Sequence, residues 1–249
     1  MSDSNNFPSN NPDNLTEWVP LSLTLVEYPQ GDWFGKILAM ISLLPFAIGS
    51  GFITLILFRK DLHTVVFFLG TIVNELLNIL LKHAICEPRP LLRNANTLYN
   101  EYGMPSSHSQ FIWFFATYMI YFVLIRLHLY SRSDSSIDPS KENIGKTILV
   151  LGLLILAAVV SFSRIYLQYH TWRQVIYGAF IGIIFGSVWF AVTHLFLTQL
   201  FPFVVSWKIS EFLLIRDTTL IPNILWFEYT IIRKESQVRS RKLASMKSQ

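Results

Sequence analysis

The chain has 249 residues, of which 52% are hydrophobic and only 14% are charged, and its mean hydropathy is +0.41. Soluble domains carry about 25% charged residues, so this composition argues against a soluble enzyme, a disordered regulator and a nucleic-acid binder. The single cysteine, Cys86, excludes an intramolecular disulfide framework and a cysteine-rich metal site. Because the apolar residues fall in long blocks, we predict an integral membrane protein.

The N-terminal segment, residues 1–34, contains five acidic residues and neither lysine nor arginine. Its opening dozen residues are rich in Asn, Ser and Pro, which predicts disorder. A secretory signal begins with a basic region, so we expect the first apolar span to stay in the protein. Asn14 begins an Asn-Leu-Thr glycosylation sequon. We therefore predict a partly disordered segment on the lumenal, non-cytosolic side.

Five segments are apolar and long enough to cross the ~30 Å of bilayer hydrocarbon, which takes roughly 20 helical residues. They are residues 37–58, 64–81, 109–125, 147–162 and 175–197. The run 203–215 is interrupted by Lys208 and Glu211, which is typical of an interfacial helix rather than a span. The predicted fold class is all-α, a polytopic membrane helix bundle with about five transmembrane helices.

The positive charges predict the orientation and the domain limits. If the N-terminus faces away from the cytosol, 14 of the 20 Lys and Arg residues lie on the cytosolic side, as the positive-inside rule requires. We divide the chain into the lumenal segment 1–34, a membrane domain 35–200, and an interfacial helix with a basic cytosolic tail, 201–249. The tail is explained by contact with anionic lipid, so nucleic acid is not needed to account for the net charge of +4.

Six positive residues remain on the disfavoured side, and five of them lie in two loops. The loops after the second and fourth spans emerge at the same membrane face, where they bring together three polar boxes. The first box holds Lys82 and the pair Arg89-Pro90, the second is Pro105-Ser106-Ser107-His108, and the third holds Ser163-Arg164 followed by His170. The sequence therefore predicts an anion site at this face.

The residue types of the boxes suit phosphoryl transfer. Arginine binds phosphate oxygens with its planar fork and lysine adds a compact charge, while serines at a helix start add backbone N–H groups. Two histidines can divide the work, one attacking phosphorus and the other protonating the leaving oxygen. Since the cations neutralise the transferred group themselves, we expect neither a metal ion nor another cofactor.

These boxes resemble the three signatures of the type-2 phosphatidic acid phosphatase superfamily, K-x6-RP, PSGH and SR-x5-H-x3-D, over residues 60–197. Within it, the runs 102–111 and 163–175 are most similar to dolichyldiphosphatases. The resemblance implies that His170 is the nucleophile and His108 the general acid. It also implies a clamp of three cations that binds the phosphate, formed by Lys82, Arg89 and Arg164. Three serines would bind phosphate or fix the third box: Ser106, Ser107 and Ser163.

By the same resemblance, the protein is expected to hydrolyse dolichyl diphosphate to dolichyl phosphate and phosphate through a phosphohistidine. The site would face the lumen of the endoplasmic reticulum, and the product would return the lipid carrier to protein N-glycosylation. The expected partners are the lipid substrate and the bilayer. The boxes recognise phosphate rather than a lipid tail, so a phosphatase for phosphatidate or sphingoid-base phosphate is the alternative. A non-catalytic polyprenyl-lipid transporter or scaffold is an alternative of another class.

Two positions depart from the superfamily pattern. Ser107 replaces the glycine of the second signature, which indicates that its backbone does not need a positive φ. Gln174 replaces the aspartate that follows the nucleophilic histidine by four residues. A glutamine can still accept a hydrogen bond from the ring N–H of His170 and so orient it, but it brings no negative charge.

Polar and small residues within the spans have structural interpretations. Asn74, Asn78 and Lys82 recur at intervals of four, with Glu75 on the adjacent face. We interpret this stripe as structural support, which holds either Lys82 of the first box or the bundle in place, rather than as a transport path.

Gly178, Gly182 and Gly186 form a ridge that permits close helix packing. This packing would hold His170 against the other boxes. The superfamily core commonly has six helices, and the missing one is expected as a non-spanning helix, either at 15–26 or after residue 201.

Overall fold

The computed structural model describes residues 18–20, 26–90, 102–126, 139–219, 221 and 224–247. These residues form a short antiparallel hairpin, in which Val19 pairs with Tyr28, and a bundle of α-helices. In chain order the elements are β1 (Trp18–Pro20), β2 (Glu27–Pro29), α1 (Trp33–Ile41), α2 (Leu44–Arg59), α3 (Leu62–Ile85), α4 (Ser107–Tyr121), α5 (Pro139–Tyr166), α6 (Trp172–Val192), α7 (Thr198–Val205), α8 (Lys208–Leu213) and α9 (Ile224–Lys247). The predicted sequon at Asn14 and the predicted disorder of the opening dozen residues lie outside the described residues.

Five stretches of these helices are long and apolar enough to cross a membrane. They are Trp33–Arg59, Leu62–Ile85, Ser107–Ile125, Asn143–Tyr166 and Trp172–Val205. Exposed side chains on their outer faces are large and apolar, as a lipid-facing surface requires. The prediction of an all-helical bundle with five spans is therefore confirmed.

The first span is broken into two helices, α1 and α2, at Ser42 and Leu43. Pro45 lies in the first turn of α2, where its missing N–H costs nothing. A continuous helix would set its ring against the carbonyl of Ile41, four residues earlier. The Ser42 hydroxyl donates to the carbonyl oxygen of Ala39 at 2.7 Å, which stabilises the end of α1. The break supplies one additional short helix to the bundle.

The suggested helix at 15–26 is wrong where it can be compared, because Trp18–Pro20 is the strand β1. The fifth span is longer than predicted, since α6 continues through a π-helical turn (Thr193–Leu197) into α7 and ends at Val205. The predicted interfacial run 203–215 is consequently split between the end of α7 and the short helix α8. The domain limit placed after residue 200 falls inside α7.

Four helix ends meet at one end of the bundle, which we call the site end. Helix α3 ends there with Cys86 in the left-handed conformation, at φ 53°. Helix α4 begins after its N-cap Ser106, and α5 ends at Tyr166. Helix α6 begins with a capping box between Thr171 and Gln174. All three polar boxes therefore lie at the site end.

Helices α4 and α6 pack against each other through the glycine ridge of α6. A methyl group at Gly178 would come within 2.7 Å of the carbonyl oxygen of Ser106, and one at Gly186 would come within 3.0 Å of that of Phe114. The same addition at Gly182 would overlap the carbonyl oxygen of Gln110. The predicted packing role of these glycines is confirmed, and it places the start of α6 beside the start of α4.

The opposite end of the bundle is tied to the C-terminal helices. Asp61 caps α3 by accepting from the Thr64 N–H at 3.1 Å, and its carboxylate also accepts from Thr218. Arg216 donates to Glu228 of α9 at 3.1 Å, and Arg59 lies 3.5 Å from the same carboxylate. These contacts hold α9 near the chain reversal between α2 and α3.

Candidate active site

His170 lies in the short connection between α5 and α6, with only 3% of its surface exposed. Its backbone N–H donates to the carbonyl oxygen of Arg164 at 3.2 Å. The connection turns through Gln168, which adopts a positive φ of 57°. The turn carries the imidazole back beneath the end of α5, so the ring is enclosed by the bundle while remaining at the site end.

The imidazole of His170 is oriented by Gln174, one helical turn into α6. His170 Nδ1 lies 3.2 Å from Gln174 Oε1, so the contact anticipated from the sequence is present. Gln174 Oε1 also accepts from the Thr171 N–H at 3.2 Å. Gln174 Nε2 donates to Glu87 Oε1 at 3.0 Å and to the carbonyl oxygen of Pro88 at 2.9 Å. The side chain is fully buried, and all of its polar atoms are engaged.

These contacts assign the protonation of the ring. Both groups facing Gln174 Nε2 are acceptors, so the amide cannot be flipped, and Oε1 must face His170. An amide oxygen can only accept, so Nδ1 carries the proton and donates to it. In the neutral ring Nε2 is then left with its lone pair. The geometry therefore leaves Nε2 unprotonated, with its lone pair available.

Three cations surround His170. Arg164 is 5% exposed, and its guanidinium stacks on the Tyr169 ring at 3.9 Å from the centroid. Burial first, and then the positive charges of Arg164, Arg89 and Lys82, hold the pKa of His170 well below its usual value of 6.5, against the opposing effect of its hydrogen bond to Gln174. The imidazole is therefore neutral at pH 7.

His108 lies in the first turn of α4 and faces the same cations. Arg164, His170, Lys82 and Arg89 all interact electrostatically with its imidazole. Its ring meets Phe46 of α2 edge-on, with centroids 6.3 Å apart. The two histidines of the second and third boxes therefore belong to one site, although 62 residues separate them.

The three predicted serines have different surroundings. Ser106 is fully buried, and its hydroxyl has no hydrogen-bond partner among the described residues, so it can bind an additional group. Ser107 is the first residue of α4 and is half-buried. Its backbone is helical, in agreement with the prediction that this position does not need the positive φ that favours glycine. The Ser163 hydroxyl donates to the carbonyl oxygen of Val160 at 2.7 Å. That contact lies within its own helix, and it fits the structural role for Ser163 better than phosphate binding.

A buried amide network supports the second box. Asn78 Nδ2 donates to the carbonyl oxygen of Pro105 at 3.3 Å and to Gln110 Oε1 at 2.8 Å. Gln110 Nε2 in turn donates to Asn74 Oδ1 at 3.1 Å. The two asparagines of the predicted polar stripe thus hold the start of α4 to α3, while Gln110 was not recognised from the sequence. Its position one turn after Ser106, on an apolar helix, was the available signal.

Glu87 was also missed. It lies between the lysine and arginine of the first box, where the signature leaves the residue type open. Its backbone carbonyl accepts from the Gly103 N–H at 2.7 Å, and its carboxylate accepts from Gln174. A carboxylate in a box of cations was the signal that could have drawn attention to it.

A five-span bundle has the chemistry of a membrane-embedded phosphatase when one end holds two histidines, three cations and a serine hydroxyl that no other described residue occupies. The model of the PAP2 superfamily matches residues 63–199. The chain is 47% identical to dolichyldiphosphatase 1 of Homo sapiens, over 92% of this chain and 94% of the relative. It therefore belongs to the PAP2 superfamily and, within it, to the dolichyldiphosphatase family.

Other comparisons agree with this assignment. Dolichyldiphosphatase 1 of Dictyostelium discoideum is 42% identical over 84% of this chain and 87% of the relative. Lipid phosphate phosphatase gamma of Arabidopsis thaliana is 35% identical over 84% and 88%. The crystal structure of a transmembrane PAP2-type phosphatidylglycerolphosphate phosphatase from Bacillus subtilis superposes with a TM-score of 0.51 at 20% identity, covering 67% of this chain and 80% of that chain. This likeness shows the shared fold, and the family shows an enzyme.

Proposed function

We propose that the protein hydrolyses dolichyl diphosphate to dolichyl phosphate and inorganic phosphate, through a phosphohistidine formed at His170. The observation that carries this proposal is the buried His170, whose Nδ1 is hydrogen-bonded to Gln174 and whose Nε2 lone pair lies among three cations. The substrate follows from membership of the dolichyldiphosphatase family, whose named relatives are similar along nearly their whole length.

The terminal phosphate is bound by the cations of the first and third boxes. Lys82, Arg89 and Arg164 neutralise its oxygens, and Arg164 is held for this purpose by its stacking on Tyr169. The unpartnered Ser106 hydroxyl and the first N–H groups of α4 add hydrogen bonds at a helix N-terminus. These contacts bind the charge that the transferring phosphoryl group carries, without a metal ion.

The first step forms a bond between His170 Nε2 and the terminal phosphorus, while the bond from phosphorus to the bridging oxygen breaks. The electrons of the broken bond pass to the bridging oxygen, and His108 donates a proton there, so dolichyl phosphate leaves. In the second step water attacks the phosphohistidine, and the now neutral His108 accepts the proton of the water. Phosphate leaves and the lone pair returns to Nε2, which restores both histidines.

We infer that the site end faces the lumen of the endoplasmic reticulum and that the C-terminal tail is cytosolic. The acidic N-terminal segment and the strongly basic tail lie at opposite ends of a five-span chain, which the positive-inside rule orients in this way. On this side the product would re-enter the lipid-carrier cycle of N-glycosylation.

The single cysteine provides the test of orientation, because Cys86 is exposed at the site end. In sealed microsomes with the cytosolic face outward, a membrane-impermeant maleimide should label Cys86 only after detergent is added. The matched control is Cys86→Ser with Ser245→Cys in α9, which should be labelled without detergent. The reverse pattern contradicts the lumenal assignment.

The activity is tested with purified protein in EDTA, by phosphate release from dolichyl diphosphate, phosphatidate and sphingosine phosphate. We expect preferential hydrolysis of dolichyl diphosphate and its loss in His170→Ala. His83→Ala is the matched control, because His83 is exposed near the same end, where its ring lies 2.8 Å from the carbonyl oxygen of Ile79 and meets the Tyr102 ring edge-on. An acid-labile phosphoryl group retained on wild type and absent from His170→Ala would support the covalent step.

The other outcomes separate the alternatives. A preference for phosphatidate or sphingosine phosphate would support the proposed reaction but contradict dolichyl diphosphate as the substrate. It would agree with the similarity to lipid phosphate phosphatase gamma. Release of phosphate from none of the three lipids contradicts the proposal and favours a lipid-binding scaffold.

A further inference from the structure

A chain of two hydrogen bonds joins His170 to a carboxylate on a different segment. His170 Nδ1 donates to Gln174 Oε1 at 3.2 Å, and Gln174 Nε2 donates to Glu87 Oε1 at 3.0 Å. Glu87 lies just after α3, 87 residues before Gln174 along the chain. The superfamily signature has an aspartate at the glutamine position, so a carboxylate is still connected to the histidine here, one side chain further away.

Glu87 is one of three groups that determine which way the Gln174 amide points. The capping N–H of Thr171 lies on the Oε1 side, while Glu87 and the carbonyl oxygen of Pro88 lie on the Nε2 side. A flipped amide would set its oxygen against two acceptors at about 3 Å, and the fully buried Gln174 side chain has no exposed surface through which water could compensate. The hydrogen bond that Glu87 accepts from Gln174 Nε2 is charge-assisted and therefore the stronger of the two on that side.

We propose that Glu87 is a positioning residue for the phosphatase reaction, acting through Gln174 to fix the reactive form of His170 and to supply the negative charge that position 174 lacks. This inference rests on the proposed function of His170 as the nucleophile. No contact between Glu87 and the substrate is required.

The charge matters when the ring reacts. Once Nε2 bonds to phosphorus, the Nδ1 proton stays on the ring, and the imidazole becomes cationic. That cation forms among Arg164, Arg89, Lys82 and the His108 imidazole, all of which are positive or neutral. Glu87 is the anion connected to the ring by hydrogen bonds, and it offsets part of this unfavourable charge.

The Glu87 segment is held in place by its surroundings. Its carbonyl oxygen accepts from the Gly103 N–H at 2.7 Å, and Gly103 lies directly against the Gln174 amide. A methyl group at Gly103 would come within 2.8 Å of Nε2 and 2.9 Å of Oε1. The residue before Glu87, Cys86, ends α3 in the left-handed conformation. Backbone contacts therefore set the carboxylate before substrate arrives.

The test is a double-mutant cycle on kcat for dolichyl diphosphate, using Glu87→Gln and Gln174→Asp. We expect Glu87→Gln alone to lower kcat about 10-fold, as loss of a supporting hydrogen-bond partner does elsewhere. In the Gln174→Asp background the histidine has its own carboxylate, so the same Glu87→Gln change should cost less than about twofold. Glu235→Gln, an exposed carboxylate of α9 paired with Arg239, is the matched control and should leave kcat unchanged.

Equal losses from Glu87→Gln in the two backgrounds would overturn the proposal, because a purely structural carboxylate would be needed in both. If Glu87→Gln lowers the thermal unfolding temperature, kcat is compared between Glu87→Asp and Glu87→Asn instead. These two variants have the same size and differ in charge. Higher kcat in the aspartate variant supports the proposal, and equal kcat overturns it.

A second measurement does not depend on turnover. In protein with ¹⁵N-labelled histidine, the His170 resonance should titrate at a lower pH in Glu87→Gln than in wild type, because the charge that favours its protonated form is gone. An unchanged midpoint contradicts the link to Glu87 even if the enzyme is active. If the midpoint shifts but the wild-type protein has no phosphatase activity, the link between Glu87 and His170 is supported and the proposed function is contradicted.

Discussion

Replacing Gly182 by alanine should separate α4, which carries His108, from α6, which begins just after His170. The added Cβ would overlap the backbone oxygen of Gln110 and would lie 3.0 Å from the backbone nitrogen of Phe114. These are backbone atoms of α4, which cannot rotate away, so α6 must move as a whole. Overpacking of this kind costs about 1–3 kcal/mol.

The matched control is Gly152→Ala in α5, where an added Cβ has nothing within 4 Å. A Gly-to-Ala change in the interior of an open helix stabilises by about 0.5–1 kcal/mol. Because Gly182→Ala gains the same helix term, the two variants should differ by the overpacking cost alone, about 1–3 kcal/mol, which corresponds to on the order of 2–12 °C in unfolding temperature for a chain of this length.

The assay is thermal unfolding in detergent micelles, followed by tryptophan fluorescence, together with phosphate release. We expect Gly182→Ala to unfold earlier and to lose activity, because a shift of α6 moves His170 away from His108. Equal unfolding temperatures for Gly182→Ala and Gly152→Ala would refute the argument that backbone contact at the ridge positions the site.

Four further outcomes follow from the site. Gln174→Asp should keep activity and Gln174→Leu should lose most of it in the phosphate-release assay, and equal turnover by the leucine variant would remove this residue from the mechanism. The pKa of His170 lies below 6.5, so its ¹⁵N resonance should stay that of a neutral ring as pH falls from 8 to 6.5, and protonation at or above 6.5 would contradict the burial argument. Gly103→Ala should displace the Gln174 amide from its buried hydrogen bonds and lower both kcat and the unfolding temperature, whereas an unchanged kcat would show that the amide can shift freely. Asn78→Leu leaves two buried acceptors without a donor and should cost about 1–3 kcal/mol per acceptor, measured by thermal unfolding against Thr54→Val, whose exposed hydroxyl bonds only within its own helix.

The fold was largely predictable because hydrocarbon imposes one dominant requirement on a spanning segment. Runs of apolar residues reveal a helix wherever they are long enough, and the five spans were found in this way. Local geometry was less accessible. Pro45 disfavours a continuous helix through this span, but the sequence did not indicate that α1 would end at Ile41 and α2 begin at Leu44.

The polar boxes were predictable because their residues have fixed spacing and lie at helix ends. The contacts between boxes were not, since hydrogen bonds such as Gln174 to Glu87 and Asn78 to Gln110 join residues 87 and 32 positions apart. Neither Gln174 nor Gln110 is charged, and neither belongs to a periodic pattern of polar residues along its apolar helix. Their partners come within reach where α3 packs on α4 and where the segment after α3 packs on the start of α6.

The departure at position 174 separates two tasks that the aspartate of the superfamily signature performs together. Gln174 keeps the task of orienting His170, and its amide does so in one direction only, because acceptors occupy the other side. The charge resides on Glu87, in the segment that also provides Arg89 to the phosphate clamp. The carboxylate therefore reaches the histidine only when the segment after α3 is packed on the start of α6. In this arrangement the contact between Gln174 and Glu87 positions Arg89 in the phosphate clamp and at the same time activates His170.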